Sequence, residues 1–192
     1  MHVERCIENQ FVHNDVCPVM ADTAKFSCPS SSLAMSILQF FGFRSASDLP
    51  KGSPLPDKTL NNHHGSPVSL QDYDKGWTMI YFYPKADTPG CTKQACSLRD
   101  AWTELSDENV NVFGVSGDSP EVLHQFAQKR SLPFTLLSDS DGTLADALGV
   151  PRLAGVPKRQ AFLFRDGALV WLDRAASTNQ QAEDVLAVIR ES

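Results

Sequence analysis

Apolar and polar residues follow two different periods along this chain, and the two alternate from residue 58 to the C-terminus. Short apolar runs bounded by Gly, Pro, Asn or Asp predict β-strands at 58–60, 67–70, 77–83, 110–115, 134–137, 161–164 and 168–172. Apolar residues at helical spacing predict helices over 91–106, 120–130, 142–148 and 177–190. This order of elements predicts an α/β fold in which a central mixed β-sheet is flanked by helices on both faces.

A proline-rich segment marks a boundary near residue 48. Residues 49–57 contain three prolines and resemble a linker. We therefore predict a folded domain over 48–192, preceded by an N-terminal extension over 1–47 that is expected to be flexible. Residues 23–47 contain serines and no acidic residue, so a targeting segment within 20–47 is kept as an alternative.

Composition and charge exclude several classes of function. The 192 residues are 42% hydrophobic and 21% charged and carry a net charge of −6, which is ordinary for a globular protein. Because the sequence has no basic run, neither nucleic acid nor an anionic membrane surface is an expected partner. The apolar runs are also shorter than the roughly 18 residues that a membrane span needs.

The five cysteines are an odd number and favour a reducing compartment. The expected location is therefore the cytoplasm, with an organelle or export as the alternative if residues 20–47 act as a targeting segment. Cys6, Cys17 and Cys28 recur every eleven residues, and His2 and His13 precede two of them by four positions. These residues could supply mixed metal ligands, but the paired short spacings of structural zinc sites are missing, so no metal is expected.

The segment from Pro84 to Cys91 is the candidate for chemistry. Pro89 disfavours the helical conformation at Thr88 and itself suits the first position of a helix, so Thr88 is the predicted N-cap. Cys91 is then the third helical residue, near unpaired N–H groups at the positive end of the helix dipole. That position favours the thiolate, which is the nucleophilic form of cysteine.

A second cysteine, Cys96, follows in the same predicted helix. At 100° per residue it points about 140° away from Cys91, outside the apolar stripe that Cys91 begins. Residues five apart in an intact helix have Cα atoms roughly 8 to 9 Å apart, whereas a disulfide tolerates about 7 Å. A bond between Cys91 and Cys96 would therefore require the first turns of the helix to unwind.

These residues resemble a known family. The pattern Pro84-x-x-x-Thr88-x-x-Cys91 is similar to the active-site signature of peroxiredoxins, and the longer run YPKADTPGCTKQACSLRD resembles the bacterioferritin-comigratory, or Q-type, branch. The likeness continues in GVSGDS at 114–119, LPFTLLSD at 132–139 and RQAFL at 159–163, and it covers about residues 50–190. It implies a thioredoxin-like fold with the family's N-terminal hairpin.

The resemblance also implies a role for each site residue. Cys91 would attack a peroxide, Thr88 would orient the peroxide through its hydroxyl, and Pro84 would screen the pocket from water. Arg159 would favour the thiolate and stabilise the transition state, and Cys96 would resolve the sulfenic acid as a disulfide. The implied reductant is thioredoxin or a glutaredoxin-like protein, the implied cofactor is none, and a monomer is favoured over a dimer.

The residues alone leave alternatives open for each role. Thr88 could be only a helix cap, and Cys96 could be an unreactive helix cysteine. A cation beside the thiolate could come from any of several arginines besides Arg159, namely Arg152, Arg165 and Arg174.

Three further positions carry polar groups of interest. His63 and His64 lie in a turn predicted between the first two strands, where they are expected to be solvated rather than catalytic. Gln94 stands where some relatives have glutamate, so a carboxylate is not assumed there.

Two other functions remain open at this stage. One is a general thiol–disulfide oxidoreductase, which the missing C-x-x-C motif disfavours. The other is a peroxide-sensing switch without catalytic turnover, in which the Cys91–Cys96 disulfide alters a surface by melting the helix.

Overall fold

The computed structural model of the protein describes residues 49–192. The predicted extension over 1–47, its possible targeting segment and Cys6, Cys17 and Cys28 lie outside the described residues. The predictions about them, and about the domain boundary near residue 48, therefore stay predictions. None of the helices in the described range is both long enough and apolar enough to cross a membrane.

The structure consists of a seven-stranded sheet, a two-stranded hairpin and five α-helices within residues 49–192. The strands are β1 (Thr59–Asn62), β2 (Pro67–Ser69), β3 (Trp77–Phe82), β4 (Val110–Ser116), β5 (Thr135–Ser138), β6 (Arg152–Leu153), β7 (Val156–Pro157), β8 (Gln160–Arg165) and β9 (Ala168–Asp173). The helices are α1 (Pro89–Asp100), α2 (Trp102–Asp107), α3 (Pro120–Arg130), α4 (Thr143–Ala147) and α5 (Gln181–Arg190), with a 3-10 helix at Leu70–Tyr73.

The large sheet is mixed, as predicted. Its strand order is β2-β1-β5-β4-β3-β8-β9. Strands β3, β4 and β5 run parallel to one another, whereas β1 and β8 pair antiparallel to the parallel block from its two sides. The β1–β2 hairpin matches the N-terminal hairpin that the resemblance implied.

Strand β3 separates two hydrophobic cores. Its residues are buried in alternation, so that Met79 and Tyr81 enter one core and Ile80 and Phe82 enter the other. Side chains of α1, α2, α3 and α5 complete the first core, while α4 and the 3-10 helix complete the second. Both faces of the sheet are therefore covered, which confirms the predicted layering.

The elements differ from the predictions in four places. The helix predicted over 91–106 is two helices that meet at Ala101, where the N–H still donates to the Ser97 carbonyl, so the apolar pattern carries no sign of the break. Leu70 opens the 3-10 helix instead of ending a strand. The hairpin of β6 and β7 was missed because strands of two residues show no period.

The last helix begins at Gln181 and not at residue 177 as predicted. The Ser177 hydroxyl accepts the N–H groups of Asn179 and Gln180, at 3.1 and 3.2 Å. Ser177 therefore stabilises a turn that precedes the helix, in a conformation that competes with helical hydrogen bonding.

Candidate active site

The loop between β3 and α1 is held from two sides. The Asp118 carboxylate accepts the Ala86 N–H at 2.7 Å and the Ser116 hydroxyl at 3.0 Å. Asp87 has a positive φ of 58° and forms ion pairs with Lys129 and, at 2.7 Å, with Arg130 at the end of α3. The hydrogen bonds from Lys129 and Arg130 keep the pKa of Asp87 below its ordinary value. Sequence reasoning missed this support, because the partners come from distant segments.

The first turn of α1 forms as predicted, with one difference. Thr88 is the N-cap residue, with an extended backbone (φ −82°, ψ 153°), and Pro89 follows at the start of the helix. The Thr88 carbonyl accepts the Thr92 N–H at 2.8 Å. The Thr88 hydroxyl, however, donates to the Lys85 carbonyl at 3.0 Å and does not cap a helical N–H group. The Thr88 side chain therefore stabilises the loop and does not cap the helix.

Cys91 lies at the third position of α1, and its side chain points into the first core. The residue is only 2% exposed and shares that core with Ala95 and Leu98, as its predicted stripe required. Tyr81 belongs to the same core, and burial raises the pKa of its phenol well above the usual range. The phenol therefore stays neutral near the thiol.

Arg159 is the cation that contacts this thiol. Its Nη2 lies 3.4 Å from the Cys91 Sγ. Pairing of β8 with β3 explains the contact. Gln160, the first residue of β8, is opposite Phe82, the last residue of β3, so Arg159 lies beside the point where the chain leaves β3 for the loop. Gly90 gives the guanidinium room, since a Cβ atom there would lie 3.3 Å from Nη2.

The other arginines considered from the sequence lie elsewhere. Arg152 pairs with Asp146 of α4 at 2.8 Å, and Arg165 lies over the Trp77 ring, with its Cζ 5.0 Å from the ring centroid. Arg174 is exposed after β9. Arg159 is therefore the arginine that the fold brings to Cys91 among these four candidates.

Two buried glutamines form a chain of hydrogen bonds that begins at Arg159. Arg159 Nη1 donates a hydrogen bond to Gln94 Oε1, and Gln94 Nε2 donates to Gln181 Oε1 at 2.6 Å. Gln94 and Gln181 are 0% and 1% exposed. Sequence analysis singled out Gln94 only as a variable position, and it missed Gln181, because a glutamine at a predicted helix start gives no sign of burial.

Cys96 lies on the same helix as Cys91 but in different surroundings. Both cysteines carry free thiols; Cys91 is buried and Cys96 is partly exposed. Cys96 borders a groove of about 530 Å³ between α1, α2 and α5. The helix is regular from Pro89 to Asp100, so the geometry that forbids a direct disulfide in an intact helix applies here.

Pro84 and the paired histidines complete the candidate residues. Pro84 is partly buried shortly after the end of β3. His64 is exposed, but His63 is partly buried and its Nδ1 accepts the Leu136 N–H at 3.1 Å, so His63 ties the hairpin to β5 and is not simply solvated as expected. Within residues 49–192, His, Cys, Asp and Glu side chains form no group of three or more that could hold a metal ion.

The chain is similar in sequence to known proteins. The AhpC/TSA family matches residues 51–171. A putative peroxiredoxin bcp of Coxiella burnetii is 48% identical over 99 residues, which are 52% of this chain and 66% of that protein. The match thus spans slightly less than two thirds of that relative's own length.

Solved structures also match this chain. The crystal structure of peroxidoxin BcpB from Mycobacterium tuberculosis has a TM-score of 0.70 and 33% identity, covering 74% of this chain and 97% of that one. The Xanthomonas campestris bacterioferritin comigratory protein, studied for alkyl peroxide reduction, has a TM-score of 0.68 and 28% identity, covering 75% and 97%. The chain therefore belongs to the AhpC/TSA family, and its relatives in that family are the peroxiredoxins of the Bcp and Q branch.

Proposed function

We propose that this protein is a thiol peroxidase that reduces hydrogen peroxide and organic hydroperoxides. The Cys91 thiolate attacks one oxygen of the peroxide, the O–O bond breaks, and water or an alcohol leaves after taking up a proton. Cys91 is thereby oxidised to a sulfenic acid. The observation that carries this proposal is the contact of the Arg159 guanidinium with the buried Cys91 thiol at the start of α1, 3.4 Å away.

This contact supports two effects on the reaction. A positive charge and the N-terminus of a helix both favour the thiolate over the thiol. The same guanidinium can donate a hydrogen bond to the oxygen that gains negative charge as the O–O bond breaks. We assign Arg159 both roles.

Thr88 and Pro84 belong to the same proposal. Thr88 lies three residues before Cys91. Its hydroxyl donates a hydrogen bond to the Lys85 carbonyl, and its oxygen keeps the capacity to accept another. We propose that this oxygen orients the incoming peroxide by accepting a hydrogen bond from the peroxide O–H group. Pro84, which has no N–H group, would keep the loop side of the site apolar.

Cys96 is proposed as the resolving residue. Its thiol attacks the sulfenic sulfur of Cys91, a disulfide forms and water leaves, which protects Cys91 from irreversible oxidation. A dithiol protein such as thioredoxin or a glutaredoxin-like protein then reduces the disulfide by exchange. The partial exposure of Cys96 beside the groove supports attack by the dithiol protein on the Cys96 sulfur of the disulfide. A monomeric state and a cytoplasmic location remain part of the proposal, with organellar targeting or export as the alternative.

Peptide-level mass spectrometry of the reduced protein after about one equivalent of hydrogen peroxide tests the two cysteine roles. We expect a Cys91–Cys96 disulfide in the wild type and a sulfenic acid on Cys91 in Cys96→Ser. The matched control is Cys91→Ser, in which Cys96 should stay reduced. Oxidation spread over Cys6, Cys17 and Cys28 with Cys91 still reduced would overturn the proposal.

Turnover separates the proposal from its two alternatives. With excess dithiothreitol as reductant, a peroxidase consumes many equivalents of hydrogen peroxide or cumene hydroperoxide rapidly, whereas a sensor consumes them slowly. A general thiol–disulfide oxidoreductase would instead reduce a disulfide substrate such as insulin at a higher rate than either peroxide.

A further inference from the structure

We infer that Gln181 is a positioning residue for Arg159: through Gln94, it holds the guanidinium in the orientation that faces Cys91. The inference rests on the proposed function, because its consequence is the rate at which Cys91 reacts with peroxide. It adds a residue of the C-terminal helix α5 to a site otherwise built from the β3–α1 loop, α1 and the start of β8.

The hydrogen bonds from Arg159 to Gln181 all run in one direction. A guanidinium can only donate, so the group that receives Arg159 Nη1 must be an acceptor. Gln94 presents its Oε1 to Arg159, which leaves its Nε2 as a donor on the other side. Gln181 Oε1 receives that donor at 2.6 Å. Each amide is therefore compatible with this chain of hydrogen bonds in one orientation, with its oxygen toward Arg159 in Gln94 and toward Gln94 in Gln181.

Gln181 stabilises the orientation of Gln94 in which Oε1 faces Arg159. Without an acceptor at Gln181, the buried Nε2 of Gln94 would lose its partner, and an unpartnered buried donor is costly. Gln94 would then turn or shift to recover a hydrogen bond, and its Oε1 would no longer hold Nη1 of Arg159. Nη2, which faces Cys91, moves with Nη1 because the guanidinium is planar and rigid.

The amide nitrogen of Gln181 indicates that this side chain does more than fill the core. Gln181 Nε2 is buried and has no hydrogen-bond partner among the described residues. If Gln181 served only to fill the core, an apolar side chain would avoid that cost. We therefore infer that the role of the Gln181 amide lies in its oxygen, which accepts the hydrogen bond from Gln94.

The chain of amides is also electrically neutral. A carboxylate in place of Gln94 would pair with Arg159 and offset part of the charge that the guanidinium presents to Cys91. Among the groups near the thiol, the Tyr81 phenol also stays neutral because burial raises its pKa. Two glutamines thus orient the arginine without adding a negative charge to the site.

A double-mutant cycle tests the inference on the full chain. The variants are Gln181→Met, Gln94→Met and the double variant, because methionine has nearly the length of glutamine but cannot replace its hydrogen bonds. Gln180→Met is the control, since Gln180 is exposed at the start of the same helix. The first readout is the single-turnover rate constant for Cys91 oxidation by hydrogen peroxide; the second is the pH profile of Cys91 alkylation by iodoacetamide.

We expect Gln181→Met to slow oxidation about tenfold and to move the alkylation profile to higher pH, while Gln180→Met behaves as wild type. In the Gln94→Met background, Gln181→Met should add less than about twofold, because Gln181 acts through Gln94. If Gln181→Met does not fold, Gln181→Ala is read in the same way.

Three results would overturn the inference: a wild-type rate in Gln181→Met, an unchanged alkylation profile, or equal losses with and without Gln94. Failure of the proposed function looks different, because the wild-type protein itself would then not react with peroxide at Cys91.

Discussion

The Arg159 Nη2 lies 3.4 Å from the Cys91 Sγ, although the two residues are 68 positions apart. The contact exists because β8 pairs with β3, and α1 follows β3 after a short loop. The Nη1 of the same guanidinium donates to Gln94, so the Arg159 side chain contacts both the Cys91 thiol and a buried amide of α1.

Replacing Arg159 with lysine keeps the charge but removes the planar fork. A lysine ammonium cannot hold Gln94 and face Cys91 with the same fixed geometry. We expect Arg159→Lys to lower the rate constant for peroxide oxidation of Cys91 by about ten- to a hundredfold, measured in single turnover. Arg174→Lys, on the surface after β9, is the control and should have no effect. A wild-type rate in Arg159→Lys would show that charge alone is sufficient.

Substituting Gly90 tests the position of the guanidinium without changing any charge. The new Cβ would lie 3.3 Å from Arg159 Nη2, closer than comfortable contact, so the guanidinium must shift by a few tenths of an ångström. We expect Gly90→Ala to slow Cys91 oxidation about three- to tenfold. The free energy of unfolding should rise by up to about 0.5–1 kcal/mol, because alanine favours the helix. Denaturant unfolding and stopped-flow oxidation measure the two effects, and a parallel loss of both would contradict this account.

Oxidation should unwind α1. Residues five apart in a helix have Cα atoms roughly 8 to 9 Å apart, beyond the reach of a disulfide at about 7 Å. We therefore expect the amides of residues 92–99 to exchange hydrogen faster in the Cys91–Cys96 disulfide form than in the dithiol form. Peroxide-treated Cys96→Ser is the control, because its sulfenic acid imposes no such strain. Equal exchange in the two forms of the wild type would refute the prediction.

His63 should make stability depend on pH at the edge of the sheet. Burial, followed by the nearby His64, lowers the pKa of His63 from 6.5. The unfolded chain therefore takes up a proton at higher pH than the folded protein does, and stability is lost as the pH falls through about 6.5. We expect wild type to lose more unfolding free energy between pH 8 and pH 5.5 than His63→Asn. Equal losses, measured by denaturant unfolding, would exclude this role for His63.

Local signals in the sequence were sufficient to place Cys91, the proposed nucleophile, in the first turn of a helix. Pro89 restricts the residue before it and starts the helix, so the positions of Thr88 and Cys91 follow from neighbours within a few residues. The same holds for most strands and helices, whose apolar periods match the faces that the sheet and helices bury. The breaks were harder to predict: Ala101 interrupts the helix without losing its backbone hydrogen bond, and nothing in the apolar pattern reflects it.

The side chains that surround Cys91 were decided by tertiary structure. Several arginines could have supplied the charge, and physical reasoning from the sequence left them open until strand pairing brought Arg159 to the thiol. Gln181 had no signal at all, because a glutamine is usually exposed and only the packing of α5 against α1 buries it beside Gln94. By itself, the sequence determined that a helix begins just before Cys91, the proposed nucleophile, since the start of a helix depends on short-range backbone preferences. Which charges and hydrogen bonds surround that cysteine depends on contacts between residues far apart in the chain, and only the folded structure decides them.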